Sequence, residues 1–460
     1  MATMCTTPTR SASTKLPKTS HITRLARRLS LVALGVAGAG SAWASDGTGP
    51  AIGADLVEAV QGQDTYQGVR PLVLGHKQTN SKPLAILCGR LLSMADSDAI
   101  FDPGMLLMRN GEIEYVGKPM DIPADYEVLD LGETWVTPGL VDLHSHIQSG
   151  DWRDTNDMVM PTNEPFSTRP AIVSSNPDMR RACAAGVTTL FGIPGSGTSI
   201  SGFGVLYKTK TNASYEEIVL ADPGGMKVAQ TNNPERDAGD LGATRAGLSW
   251  LLEEVNDRAV DVRDQGIFDP ALDNLRRIQS KELPVLIHCA GSDGVASTVR
   301  MWRGTYDTRS VLSHGSFDGH HAAAYVAKMG MPVNHGPRTF NMTYGIREGR
   351  FVNTSKAYTD AGVPNFSLTT DASVIPQEEF FLQGTMSAHF GSDPYQMLQA
   401  LTINPAKSFG IEDSVGSLEV GKDADIVIWS GDPLDPRTFV ESVIIDGDIQ
   451  YSQAEDGQWF

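Results

Sequence analysis

From Leu84 onward the apolar positions come in short runs separated by turn residues. Leu84–Leu91, Met105–Met108, Ile113–Val116 and Tyr126–Leu129 each have strand length, and Asp102-Pro103-Gly104 and Asn110-Gly111 punctuate them. Asn110-Gly111 between two apolar runs predicts a hairpin, because both residues accept positive φ. Together these runs predict a small antiparallel sheet. At Trp135–His146 the rhythm changes. Val136, Leu140, Val141 and Leu143 predict a buried strand entered through a Pro138-Gly139 turn and ending in His144 and His146. Residues two apart on a strand share a face, so the two imidazoles point to one side.

Seven more strand-like runs follow: 186–193, 203–208, 225–229, 284–288, 310–314, 331–335 and 366–371. Helical stretches at 178–185, 244–258, 270–280, 321–329 and 353–361 intervene. Eight strands with helical crossovers in about 260 residues predict an α/β fold, a (β/α)8 TIM-like barrel. Beyond it Tyr395–Leu401 reads as a helix, and Asn404-Pro405-Ala406 as an N-cap with proline at the first helical position. Residues 424–429 and 443–451 return to strand character, the second run turning at Asp446-Gly447. The simplest architecture lets them complete the sheet begun at Leu84. The expected organisation is a composite β-sandwich domain from 81–137 and 408–460 around a barrel at 138–407, preceded by an extended lead-in at 45–80.

Residues 1–44 change the picture of the chain's destination. They hold six basic residues (Arg10, Lys15, Lys18, Arg24, Arg27, Arg28), no acidic ones, and an apolar run from Leu29 to Ala42-Trp43-Ala44. This is the pattern of a signal peptide cleaved after Ala44, and sixteen residues interrupted by Gly and Ser are short for a span of roughly 20. The protein is therefore expected to be exported, periplasmic or secreted, by the general or, through Arg27-Arg28, the twin-arginine route. Removing the six leader bases from 37 leaves 31 against 55 acidic residues, a net charge of −24. That excludes nucleic acid and anionic membranes as partners. Three cysteines outside the leader, Cys88, Cys183 and Cys289, form no disulfide framework.

Composition names no chemistry, but histidine placement does. Of ten histidines, His144, His146, His288, His314 and His335 fall at the carboxyl ends of predicted barrel strands, and Asp371 ends the eighth in the same way. Barrel chemistry gathers at that face, and imidazole with carboxylate suits a divalent ion, zinc first. Cys289 follows His288 and faces the opposite side, which removes it as a nucleophile. Gly195-Ser196-Gly197 lacks the lysine and spacing of a phosphate loop and reads as a tight turn.

The motifs 137–146 (Thr-Pro-Gly-Leu-Val-Asp-Leu-His-Ser-His), Ala185-Gly-Val-Thr-Thr, Gly225-Met-Lys, Ser313-His-Gly, Leu368-Thr-Thr-Asp, Thr402-Ile-Asn-Pro-Ala-Lys and 416–427 carry a resemblance. The chain resembles the amidohydrolase superfamily, and within it the imidazolonepropionase-like branch, over nearly all of the mature length. The resemblance implies that His144, His146 and Asp371 bind a first metal and His288 and His314 a second. Lys227 stands where many members carry a carboxylated lysine bridging both. It also implies a structural role for Asp142, which precedes the histidine pair. Two departures stand out: Thr231-Asn232-Asn233-Pro234 replaces Gly-Glu-Asn-Pro, and Ala290 occupies a position where relatives often have histidine. His335 has no counterpart in the pattern and either lines the substrate pocket or hydrogen-bonds within the core. Asn156, in the loop after the first barrel strand, is expected over the site as a substrate contact.

The expected activity is hydrolysis of an amide, cyclic amide or peptide-like C–N bond by metal-activated water, with Asp371 as the catalytic proton carrier. One or two divalent ions serve it, and a small-molecule or short peptide-like substrate is the expected partner. A homo-oligomer is compatible with this reading. The alternatives are a mononuclear deaminase-like hydrolase with Lys227 unmodified, or a non-catalytic exported binding protein.

Overall fold

The structure, a computed structural model, describes residues 82–95, 99–235, 244–338 and 351–459. The expected leader and lead-in lie outside these residues. Among the described residues no helix is long and apolar enough to cross a membrane.

The N-terminal runs form β1 (Leu84–Cys88), β2 (Arg90–Leu92), β3 (Ile100–Phe101), β4 (Gly104–Arg109), β5 (Glu112–Gly117), β6 (Glu127–Asp130) and β7 (Trp135–Pro138). Asn110 and Gly111 sit at φ +53° and +78°, the hairpin geometry that their side chains permit. The barrel strands are β8 (Leu140–Ser145), β9 (Val187–Gly192), β10 (Ile200–Lys208), β11 (Val219–Ala229), β12 (Val285–Ala290), β13 (Ser310–Ser316), β14 (Val333–His335) and β15 (Ser367–Leu368). β16 (Ile426–Trp429), β17 (Val440–Ile445) and β18 (Asp448–Ser452) follow.

The small strands do not make one antiparallel sheet. They form two, in the orders β5-β4-β1-β6 and β18-β17-β16-β7-β2-β3. β16 pairs with β7, Ile426 opposite Pro138, and not with β1. β1 runs parallel to β6, and β2 parallel to β7. Ile86, Leu106, Val136, Ile426 and Ile444 share one core between the sheets, so apolar faces from both ends of the chain cover each other.

All eight barrel strands neighbour each other in chain order. His146 N–H donates to Ala372 O at 2.7 Å, bringing the segment after β15 back to β8. One strand departs from the all-parallel expectation. β10 pairs antiparallel with both β9 and β11, because the links on either side of it are too short for a helical crossover. In β12 the period of two is plain. Val285, Ile287 and Cys289 pack outward with Leu252, Val255 and Trp302, whereas Leu286 belongs to a separate inner cluster. Burial pushes the Cys289 thiol up to about 11, consistent with an inert packing role. Asn404 is not an N-cap. The helix there is Ile403–Phe409 with Thr402 ahead of it, and the Asn404 amide donates to Phe366 O at 2.9 Å.

The reversal of β10 has a consequence at the barrel's far end. Lys208, its last residue, reaches Asp423, Asp425 and Asp446 of the C-terminal sheet region, and all four are buried. Asp425 is pushed up to about 7 by burial, with Lys208 pulling it down. Its folded value lies above the unfolded 3.8, so the folded chain holds this proton more tightly. That contribution is whole below about pH 4 and drains away as the pH rises to about 7. Thermal midpoints of the wild type should therefore fall more steeply across this window than those of Asp425→Asn. Parallel slopes would remove Asp425 as the cause.

Candidate metal centre

The first pair of ligating groups is set by β8 and braced from below by Asp142. This fully buried carboxylate accepts from His144 N at 3.0 Å, Thr369 Oγ1 at 2.6 Å, Thr370 Oγ1 at 2.5 Å and Gln377 Nε2 at 3.1 Å. Burial pushes its pKa up against those bonds. It thereby ties the end of β8 to the end of β15, so the histidine pair and Asp371 are held by one network.

His146 Nδ1–H donates to Ile193 O at 2.9 Å, and His314 Nδ1–H donates to Gly336 O at 3.0 Å. A carbonyl can only accept, so in the neutral rings both bonds leave the lone pair on Nε2. His146 Nε2 and His144 Nε2 each lie 3.2 Å from Asp371 Oδ1, and His314 Nε2 lies 4.0 Å from Oδ2. His314 Nε2 is buried with no hydrogen-bond partner. Burial lowers the pKa of His144 and His314, so neither welcomes a proton. Burial also works to raise that of Asp371, yet His144 and His314 hold it well below the usual carboxylate range. A carboxylate that requires positive charge faces imidazoles that refuse it. A divalent cation meets both demands, and this donor set fits one. His144, His314 and Asp371 each offer a ligand atom within 4.8 Å of the others. His314 and Asp371 sit at φ +70° and +52°, left-handed positions that a non-glycine residue adopts at a cost of about 1–3 kcal/mol.

The barrel matches known proteins over most of its length. An amidohydrolase from Thermotoga maritima superposes with a TM-score of 0.72 at 28% identity, covering 80% of this chain and 100% of that one. The Amidohydrolase family profile matches residues 269–450. The chain is similar to the amidohydrolase superfamily over these spans. An imidazolonepropionase of Colwellia psychrerythraea is 26% identical over 365 residues, 71% of this chain and 85% of the relative. An amidohydrolase of Hapsidospora irregularis is 24% identical over 402 residues, 76% of this chain, and the chain spans 40% of that protein. Among its relatives, the chain thus resembles the imidazolonepropionases over most of its described length.

Lys227 on β11 is completely buried, and burial brings its pKa down to about 7. Its Nζ lies 3.2 Å from His144 Nε2 and donates to Ser196 Oγ at 2.8 Å. Ser196 Oγ in turn lies 2.9 Å from His288 Nδ1. Burial, and then His314, lower the His288 pKa, and its Nε2 has no partner. All six sequence-predicted metal residues therefore gather at one place: the His288 ring lies 4.4 Å from that of His314, and Ser196 links it to Lys227.

The two expected substrate contacts lie elsewhere. His335 is fully buried. Its Nδ1 bonds His314 O at 2.6 Å, its Nε2 bonds Thr354 Oγ1 at 2.7 Å, and Tyr358 and Phe366 pack its ring. Of the two fates open to it, the structure gives it the core, supporting the backbone of His314. Asn156 is exposed, and its Oδ1 accepts from Gly197 N at 2.8 Å. It latches the loop after β8 onto the loop after β9 and joins none of the six. A Cβ on Gly195 would meet Asn156 Oδ1 at 2.5 Å, so a larger residue there would push the Asn156 side chain off this contact.

Two polar residues escaped the sequence reading. Ser196 was hidden in what reads as a plain turn. Ser313, whose Oγ shares a 2.6 Å hydrogen bond with His144 Nδ1, precedes His314 by one. A serine carries no ligand signal by itself, so only its neighbours in space reveal it.

Proposed function

We propose that this chain is an exported, metal-dependent amidohydrolase that cleaves a C–N bond in a small amide, cyclic amide or short peptide-like substrate. The single observation that carries the metal reading is the convergence of imidazole lone pairs on the ionised Asp371 with His314 Nε2 otherwise unpartnered. His144, His146, His314 and Asp371 are the residues that would hold the cation. Bound there, a divalent ion supplies Lewis acidity toward the substrate carbonyl and a water of lowered pKa. Asp371 accepts the proton released on attack and returns it to the departing nitrogen. Asp142, Ser313 and the carbonyls of Ile193 and Gly336 fix the rings so that their lone pairs stay aimed inward. Export rests on the basic leader and Ala42-Trp43-Ala44, and a mature N-terminus at Ser45 would support it.

Chelation tests the reading. Protein stripped of metal should lose at least about 100-fold in turnover of an amide, lactam and dipeptide panel, with zinc restoring it. Its melting temperature should also fall by several degrees, because a cation at about 1,000 times its Kd stabilises by about 4 kcal/mol. Full activity without metal would sink the proposal.

A further inference from the structure

We propose that exposed apolar side chains beside the metal centre select its substrate: the amide cleaved here carries a bulky apolar group, aryl or branched alkyl, with no negative charge, that packs on Trp152 and Val374. The proposal deepens the hydrolytic reading above and rests on it. Large apolar side chains scattered singly over a surface carry no message. Here four of them, Trp152, Met158, Val159 and Met160, are exposed within the nine residues 152–160 of the loop after β8. That loop begins directly after His146 and is fastened along the turn between β9 and β10. Gly195 N–H donates to Thr155 O at 2.6 Å, Gly197 N–H to Asn156 Oδ1 at 2.8 Å and Ser199 N–H to Pro161 O at 2.9 Å. The same turn carries Ser196, 2.8 Å from Lys227 Nζ, so the stretch lies one turn of chain from the centre.

Val374 brings in the loop after β15. Its N–H donates to Asp371 O at 2.7 Å, which keeps it within one turn of the proton carrier, and its side chain is 64% exposed. His146 N–H donates to Ala372 O at 2.7 Å, so the two loops leave the barrel side by side. Apolar groups from both therefore flank the side of the mouth where His146 and Asp371 stand. Exposed apolar area gives affinity only to a ligand group that covers it. Charge narrows the class further. Residues 151–157 hold Asp151, Asp154 and Asp157 against Arg153, a net −2 (one base less three acids), and Arg153 is spent on Asp151. A carboxylate entering here meets negative charge that nothing nearby offsets.

Three small amides test the proposal: phenylacetamide, acetamide and the anionic succinamate. Binding to metal-stripped protein, followed by ligand-observed NMR, should give phenylacetamide a Kd at least about 10-fold below that of acetamide, with succinamate the weakest. The kcat/KM values of zinc-loaded protein should rank the three in the same order. Trp152 is 83% exposed, so Trp152→Ala combined with Val374→Ser should melt with the wild type, while the preference shrinks to within about threefold. Equal affinity for phenylacetamide and acetamide overturns the inference. Tighter binding of succinamate also overturns it and hands the mouth to Arg338, exposed after β14. A preference that survives in the double variant removes Trp152 and Val374 as its source. Preferential binding with no turnover of any amide by the zinc-loaded protein defeats the hydrolytic reading and the claim on its substrate with it, an outcome distinct from turnover without preference.

Discussion

Asp371→Asn is expected to lower kcat by about 10²–10⁴-fold while leaving the chain folded. The substitution preserves shape and one acceptor oxygen but cannot take up a proton, so the relay between attacking water and leaving nitrogen is lost. It also removes the negative charge on which His144 and His146 converge at 3.2 Å. Without metal, the new amide N–H can donate to an imidazole lone pair that formerly faced another acceptor. The stripped variant should therefore melt no lower than the stripped wild type, and zinc should raise its midpoint much less. Measured together, turnover and the zinc-dependent shift separate loss of chemistry from loss of fold. Retention of activity within tenfold of wild type would mean that another group carries the proton.

Lys208→Met should destabilise the fold by about 3–5 kcal/mol, the cost of stranding buried carboxylates without their cation. Asp423, Asp425 and Asp446 all face this lysine, and burial leaves water little room to take its place. Lys210 lies 3.4 Å from Asp446 and can compensate only that one. In the wild type, burial draws the Lys208 pKa down but the three carboxylates outweigh it and raise it, so it stays charged throughout the neutral range. The loss in the variant should grow with pH, since stranded aspartates can escape only by protonation. Denaturant midpoints at pH 5 and pH 8 check this, and adding Asp425→Asn should recover part of the loss at pH 8. A change under about 1 kcal/mol at pH 8 would show that the charges are screened. Because the cluster lies at the far end of the barrel from Asp371, hydrolysis per folded molecule should be unchanged.

The local pattern determined a great deal here. Strand length, turn residues and the change from short sheet runs to strand–helix alternation placed all eight barrel strands. The position of a histidine at the end of an apolar run placed His144, His146, His288 and His314 at one face, because a strand's period and direction are local properties. Asn110-Gly111 and Asp446-Gly447 specify their turns for the same reason: φ is a property of one residue, and these are +53°, +78°, +51° and +79°.

What stayed out of reach depends on partners distant in the chain. β10 reads as a strand like its neighbours, but its direction follows from which edges it joins, and so does the meeting of Lys208 with aspartates more than two hundred residues away. The two sheets of the small domain separate because β16 finds β7. His335 carries the same signal as His314, yet Thr354 and a backbone carbonyl claim both its nitrogens. Ser196 gave no signal at all. The sequence by itself determined the elements and the chemical groups at their ends. Only the tertiary structure decided which lone pair faces which proton, since hydrogen bonds and charges act across space and leave no trace in the order of residues.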